Sequence, residues 1–377
     1  MSQKELKKNL TDFQLKYLEF QQKILFILEI LSCNSHPKTD FHLLRKCINS
    51  GIVATFLITC ILNFFHEIKR KTALEITITL ITCAGVSQIL CNTVVIIFST
   101  EKIKNLIDWI REIHEDISWI NLGCFVEKRL QLCFWWTTTA MKIFTLLGLP
   151  AVQFMVLGYY LTDNLVFRIP SLSRTLQFLW QFIALTGSSI LFVTTDCIIM
   201  FLGIYFITII NIFLDSIEKL DNEDFIMSSK RHLCHYHEKH LQIVQKLKEF
   251  DKIFRMVEIV QMGSCLPLIV GTLYVVRLYP SLLNIYIMLC TIIIQFFIIC
   301  LFGEFIHSKT EEIFTKFYLT KWYKMSQEDK MILLMLMKLT IKPFSLKAAG
   351  MYDINMKSFV EVTKFSFSFC AILFAFK

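Results

Sequence analysis

Six stretches of this sequence reach or approach the length of a membrane span with no more than one charged side chain. They are Ile48–Phe65, Ile76–Thr100, Ile143–Thr162, Thr175–Leu214 (interrupted by Asp196), Ile259–Val276 and Leu278–Gly303. A helix rises about 1.5 Å per residue, so about 20 residues cross a hydrocarbon core of about 30 Å. Soluble domains intersperse their apolar residues with polar ones. Here 55% of the 377 residues are hydrophobic, and they come in blocks. A seventh span is expected from about Asn355, where only Phe365–Phe376 is uncharged. The expected fold is an all-α membrane protein with seven transmembrane helices. The earlier run "ILFILEIL" (Ile24–Leu31) is short, carries Glu29 and lacks a small-residue cleavage site. It reads as an interfacial or re-entrant amphipathic helix, and no signal peptide is expected.

Lys and Arg separate the two sides of the membrane. The N-terminal segment and the second, fourth and sixth connections hold 29 of them; the other connections and the C-terminus hold 7. This bias puts the N-terminus in the cytoplasm and the C-terminus outside. The net charge of +8 is then a topology signal, and nucleic acid is not an expected partner. The same orientation excludes a G-protein-coupled receptor, and no Asp-Arg-Tyr or Asn-Pro-x-x-Tyr occurs. No cysteine falls in an outward connection, so the usual extracellular disulfide cannot form. The Asn9-Leu10-Thr11 sequon lies on the cytoplasmic side.

The inward connections are long and helical in pattern. Leu241, Val244, Leu247, Phe250, Phe254 and Val257 recur every three or four residues. A second amphipathic helix is predicted over Asp329–Leu339, stopped near Pro343. We expect these helices to pack as a cytoplasmic anchor layer; separate helices lying on anionic lipid are the alternative. The stretch "RHLCHYHEKH", with His232, Cys234, His235, His237 and His240, invites a metal reading. Its "HEKH" is one residue short of the spacing that sets two imidazoles on one helical face, so no metal and no cofactor is expected. No catalytic constellation or phosphate loop is present, so an enzyme is not expected.

Charges inside spans are costly and seek a partner or water. Lys142 and Asp196 fall at similar depth on antiparallel spans and could form an ion pair; separate snorkelling is the alternative. In the last span Asp353, Lys357, Glu361, Lys364 and Ser368 share one helical stripe, continued by Ala371 and Ala375. Acid-before-base spacing suggests Asp353–Lys357 and Glu361–Lys364 pairs. Each charge exposed to lipid costs about 2.5–3.5 kcal/mol, more than such local pairs return. A stripe that is polar and then small therefore suits a pore lining, with snorkelling of a packed helix as the alternative.

The C-terminal segments "YLTKWY" and "KLTIKPFSLKAAGMYDINMKSFVEVTKFSFSF" resemble the signature of insect odorant receptors. That signature combines an aromatic-Trp pair, a Lys-Pro before the last span and a Ser-aromatic-Ser-aromatic run within it. The ending "SFCAILFAF" is similar to that of the related gustatory receptors but departs from it at Ser368, Phe369 and Ala375. The resemblance is dense over the last 60 or so residues. It implies a subunit of a tetrameric, ligand-gated, non-selective cation channel in the plasma membrane of a sensory-neuron dendrite. Its partners would be an obligate co-receptor, a small volatile ligand and cations, with no G protein required.

On this resemblance the chain divides into a cytoplasmic N-terminus (1–46), a ligand-binding bundle of spans one to four (47–214), a cytoplasmic helical extension (215–258), spans five and six (259–305), an anchor segment (306–349) and a pore-lining last span (350–377). The implied pore lining is Glu361, Lys364, Phe365, Ser368, Ala371, Ile372 and Ala375, with Ile372 at the hydrophobic gate and Ala375 where relatives carry Gln. An apolar pocket with a few hydroxyls is expected in the outer half, lined by Phe144, Leu147, Ala151, Phe182, Ser189 and Tyr286, although ordinary helix packing accounts for each of these singly. A gustatory receptor channel is the nearest alternative reading. A metal or solute transporter is a more distant one, and it lacks ligands within the spans.

Overall fold

The structure is a computed structural model that describes residues 12–32, 42–67, 73–115, 125–161, 173–218, 229–280 and 283–375. Among these, helix α1 (Asp12–Ser32) is followed by α2 (His42–Glu67), α3 (Ala73–Glu115), α4 (Phe125–Leu161), α5 (Arg174–Glu218), α6 (Ser229–Leu278) and α7 (Leu283–Leu319). A 3-10 turn (Trp322–Lys324) leads into α8 (Gln327–Thr340), a hairpin of β1 (Lys347–Ala348) and β2 (Tyr352–Asp353), and α9 (Met356–Ala375). Helices α3 to α7 are each long and apolar enough to cross a bilayer. With α2 and α9 they make the seven that the apolar runs predict. The Asn9 sequon lies outside the described residues.

Three of these helices are too long for a membrane. α3, α5 and α6 have 43, 45 and 50 residues, or about 65–75 Å, more than twice the hydrocarbon thickness. Their surplus lengths meet at one end of the bundle, here called the base. There the second half of α5 is apolar all round, as a fully enclosed helix must be. Phe201, Tyr205, Phe206, Ile209, Ile210 and Phe213 are all buried. Around it pack Ile103, Leu106 and Ile110 of α3, Leu247, Phe250 and Phe254 of α6, Ile313 and Phe317 of α7, and Leu333 and Leu336 of α8. Leu241, read from its spacing as part of the α6 stripe, is exposed. The buried series instead runs through Leu233, Tyr236, His240, Ile243 and Leu247, so His240 is a core residue against Phe213.

α8, predicted over Asp329–Leu339, begins two residues earlier at Gln327 on the N-cap Ser326. The Asp329 backbone N–H donates to Ser326 Oγ at 3.2 Å, and that hydroxyl donates to Asp329 Oδ2 at 2.6 Å. Ion pairs link neighbours around the base: Lys104–Glu29 at 3.2 Å, Arg129–Asp215 at 2.8 Å, and Lys316–Glu218. Such partly exposed pairs contribute up to about 1 kcal/mol each, so apolar burial dominates here.

The run Ile24–Leu31 belongs to α1, which docks on the base through Tyr17, Ile24, Leu28 and Leu31. Tyr17 stacks on His114 at 3.8 Å, and Gln14 Nε2 donates to the His114 carbonyl at 3.0 Å. Burial pushes the His114 imidazole down from 6.5 to about 3. A depressed folded-state pKa on a histidine means the neutral ring is the one that packs. Its contribution is present above pH 6.5 and is lost as pH falls toward about 3. The thermal stability of the purified protein should therefore fall on mild acidification. His114→Phe, which keeps the stacked ring, should show a smaller acid loss than wild type.

Candidate functional site

Away from the base the helices pack less tightly. α3 and α6 touch where Gly271 lets Ile81 approach, since a Cβ there would lie 3.0 Å from Ile81 Cγ1. Beside this contact a cavity of about 170 Å3 opens between α3, α5, α6 and α7. Its walls are Ile81, Thr82, Gly85, Val86, Gln88 and Ile89 of α3, and Leu185, Ser188, Ser189 and Phe192 of α5. Leu268 of α6 and Ile287, Met288, Thr291, Ile292 and Gln295 of α7 complete it. Mostly apolar walls with a few polar groups are the build of a small-molecule site. Gln295 also lines a much smaller cavity, about 10 Å3, together with Asp196, Phe144 and Met200.

Of the six residues expected to line a pocket, Ser189 lies in the larger cavity and Phe144 in the smaller one. Leu147 is 64% exposed on α4, and Phe182 and Tyr286 are also exposed. Ala151 lies within α4, but its side chain is outside the described residues. The Lys142–Asp196 ion pair is not formed. Asp196 is buried facing α7, where its Oδ2 accepts from Gln295 Nε2 at 3.2 Å, and Lys142 is exposed on α4. A neutral amide has taken the place that charge matching assigned to a lysine. Gln88, which charge and hydropathy passed over, is 3% exposed at the cavity and accepts from Ser264 Oγ at 3.1 Å. The available signal was an amide inside an apolar run, since such a group must find a partner within the bundle.

The second feature is the terminal helix. α9 is capped by Asn355, whose Oδ1 accepts from the Ser358 backbone N–H at 2.9 Å. It packs against α6 and α7, with Phe359 at 5.5 Å from the rings of Phe296 and Phe297 and with Ser366 and Cys370 buried. Glu361, Lys364, Phe365, Ser368, Ala371, Ile372 and Ala375 all face away from the body of the chain and are exposed. The anticipated pairs sort differently. Asp353 belongs to β2, not to the helix, and pairs with Lys347 at 3.8 Å, which leaves Lys357 to reach Glu361 at 3.9 Å.

The hairpin latches α9 to α7. Its turn places Ala349 and Gly350 at φ of 55° and 72°, the left-handed region that Gly adopts freely. The Phe344 backbone N–H donates to Thr310 Oγ1 at 3.1 Å, and that of Met356 to Glu304 Oε2 at 3.3 Å. Between them the Ile354 carbonyl lies so near α7 that a Cβ on Gly303 would sit 1.9 Å from its oxygen. One helix therefore lines the cavity with its first half and holds the terminal helix with its second.

The structure is a multi-pass bundle of apolar helices with a largely apolar cavity between four of them. Residues 71–367 match the family model described as 7tm Odorant receptor, and the chain belongs to that family. It is 24% identical over 157 residues to Odorant receptor 33c of Drosophila melanogaster, covering 40% of this chain and 41% of that one. Odorant receptor 33a of the same species is 20% identical over 142 residues, 37% of this chain and 38% of its own. The matched part thus spans about two-fifths of the length of these curated relatives. The fold matches the insect olfactory receptor OR5 of Machilis hrabei, both in complex with eugenol and in the structure reported without it. The eugenol complex gives a TM-score of 0.77 at 12% identity, covering 97% of this chain and 100% of that one. The other gives 0.76 at 12%, covering 96% and 99%.

Gly303→Ala should force the latch apart at a cost of about 1–3 kcal/mol, the usual range for overpacking. We expect reduced surface labelling or loss of function in cells. Gly187→Ala, where an added Cβ meets nothing within 4 Å, should be tolerated.

Proposed function

We propose that this chain is a tuning subunit of an odorant-gated, non-selective cation channel that assembles with a co-receptor in the plasma membrane of a sensory-neuron dendrite. The observation that carries the reading is the double role of α7, which lines the cavity through Ile287–Gln295 and latches α9 through Gly303, Glu304 and Thr310. A ligand that prefers one placement of α7 then biases the placement of α9. Ligand affinity must differ between the two arrangements for any shift to occur.

The exposed stripe of α9 supports a pore role. Its Glu361 and Ser368 end suits water and cations, and its Ile372 end, 52% exposed in the single chain, suits a constriction that closes by dewetting. The excess of 29 Lys and Arg over 7 favours a cytoplasmic base and N-terminus and an external C-terminus. α8 supports assembly through the base, because Met331, Leu334, Met335 and Leu339 are exposed on the face turned from its own core. The eugenol complex of the Machilis receptor is consistent with a small volatile ligand for this chain.

Currents recorded from cells carrying the chain with and without the co-receptor, against an odorant panel, test the reading. Odorant-evoked current should require both chains. Ile372→Ser should raise basal current or alter gating, and cysteines at positions 368, 372 and 375 should react with thiol reagents. Unreactive cysteines in closed and open states, together with wild-type permeability in Glu361 variants, would make α9 a packing helix. A tag after Lys377 should be labelled on intact cells and a tag before Met1 only after permeabilisation; the reverse would overturn the orientation.

A further inference from the structure

The cavity of about 170 Å3 between α3, α5, α6 and α7 places few demands on the functional group of a ligand. Thr82, Ser189 and Thr291 each donate their hydroxyl proton to a carbonyl of their own helix, at 2.9, 2.7 and 2.9 Å. Gln295 Nε2 donates to Asp196 Oδ2 at 3.2 Å. Gln88 Oε1 accepts from Ser264 Oγ at 3.1 Å, and Gln88 Nε2 is enclosed by protein. Among the described residues Ser188 is the one lining hydroxyl without such a bond, and none of the lining residues is charged. A pocket whose polar groups are mostly paired already discriminates weakly between functional groups, because an analogue lacking one leaves little newly unpaired. Size is what remains.

Gly85 is the one glycine among the lining residues. The lining positions of α3, from Ile81 to Ile89, span about 160° of a helix that turns about 100° per residue, and Gly85 lies about 20° from the middle of that arc. An added Cβ there meets nothing within 4 Å, so the open space it faces belongs to the cavity. Gly148 and Gly203 have a packing reason to be glycine, since a Cβ would lie 3.0 Å from Val193 and 3.2 Å from Phe302. Gly85 has no such neighbour, although glycine destabilises a helix interior relative to alanine. What its missing side chain provides is room.

We propose that the cavity selects uncharged, mainly aliphatic ligands by length and bulk, and that Gly85 sets the limit. This rests on the reading of the cavity as the ligand site. Each methylene buried against Ile81, Leu185, Leu268 or Ile292 should gain about fourfold in affinity until the cavity is full. One methylene more has to displace packed side chains, and potency turns down. A side chain at position 85 takes up part of the room, so the turn comes at a shorter ligand.

The test uses cells carrying the chain with the co-receptor, surface labelling, and straight-chain primary alcohols, methyl ketones and methyl esters of graded length. Partition into lipid also rises with chain length, so the readout is the length at which potency turns down. The three series should turn down at the same length, and members of equal length should agree within about tenfold. Gly85→Ala, which favours the helix, should move the turn down by about one carbon, and Gly85→Leu by about three or four. Gly187→Ala, outside the lining, should leave the turn in place. Series that turn down at different lengths, or differ by more than about tenfold at equal length, overturn the proposal. So does a loss beyond about tenfold in one series alone on Ser188→Ala, which would give the selection to a functional group. Silence toward every compound from a surface-delivered receptor overturns it as well. If Gly85→Leu weakens all responses while Gly85→Ala leaves the turn unmoved, the cavity is the site and Gly85 is not its limit. If both variants leave every response unmoved, the site itself is wrong and the proposal falls with it.

Discussion

The burial of the second half of α5 organises the molecule. A helix apolar on every side is stable only when other helices surround it. Around Phe206, Ile210 and Phe213, helices α3, α6, α7 and α8 supply that cover. At about 25 cal/mol per Å2 of apolar surface, such a cluster outweighs the scattered ion pairs at its rim. The tight end is thus the base, and its solidity leaves the other end free to be looser. There α3, α5, α6 and α7 stand around a cavity flanked by small apolar clusters, such as Ile81, Leu268, Val275 and Ile285. Rigid packing at one end and an opening at the other is a sensible division for a receptor, whose binding region must have more than one arrangement available.

What the sequence disclosed, and what it hid, follows from the solvent each segment meets. Span number and length are legible because a bilayer demands unbroken apolar runs. The base helices are legible because water on one face and a core on the other impose a period, which is why Leu247, Phe250, Phe254 and Val257 are indeed buried. Within the bilayer that contrast vanishes. Leu185 faces the cavity and Leu179 and Ile183 face outward, yet all are aliphatic, because lipid and protein interior are equally apolar. Leu147 and Phe182 were indistinguishable from lining residues for that reason. Lining residues betray themselves by uncharged polar atoms, as Gln88 and Gln295 do. Those atoms do not break an apolar run, so hydropathy passes over them.

The intramembrane charges carry a related lesson. Charge matching suggested Lys142 for Asp196 and Lys357 for Asp353, and neither pairing is present. Asp196 is satisfied by an amide, which removes the need to bury a lysine beside it. Asp353 falls before the helix begins, because Asn355 caps α9 and the Ala349–Gly350 turn folds the preceding chain into a hairpin. Helical spacing in the sequence runs on past the cap, and only backbone geometry shows where it stops applying.

The latch between α7 and α9 is the step that joins cavity to terminus. Gly303 allows the Ile354 carbonyl to approach so closely that α9 cannot shift at its start independently of α7. Beyond Cys370 its described side chains, Ala371, Ile372 and Ala375, are exposed. A helix held firmly at one end and bare at the other turns a small displacement at the latch into a larger one at its tip, because the motion scales with the lever's length. Under the proposed reading that tip carries the Ile372 constriction. The same reading has its remaining cover come from other subunits, whose terminal helices would close the constriction by dewetting. On that proposal the cavity, the latch and the bare stripe fit together in an assembly, where movement of α7 in one subunit alters the packing that neighbouring terminal helices present to it.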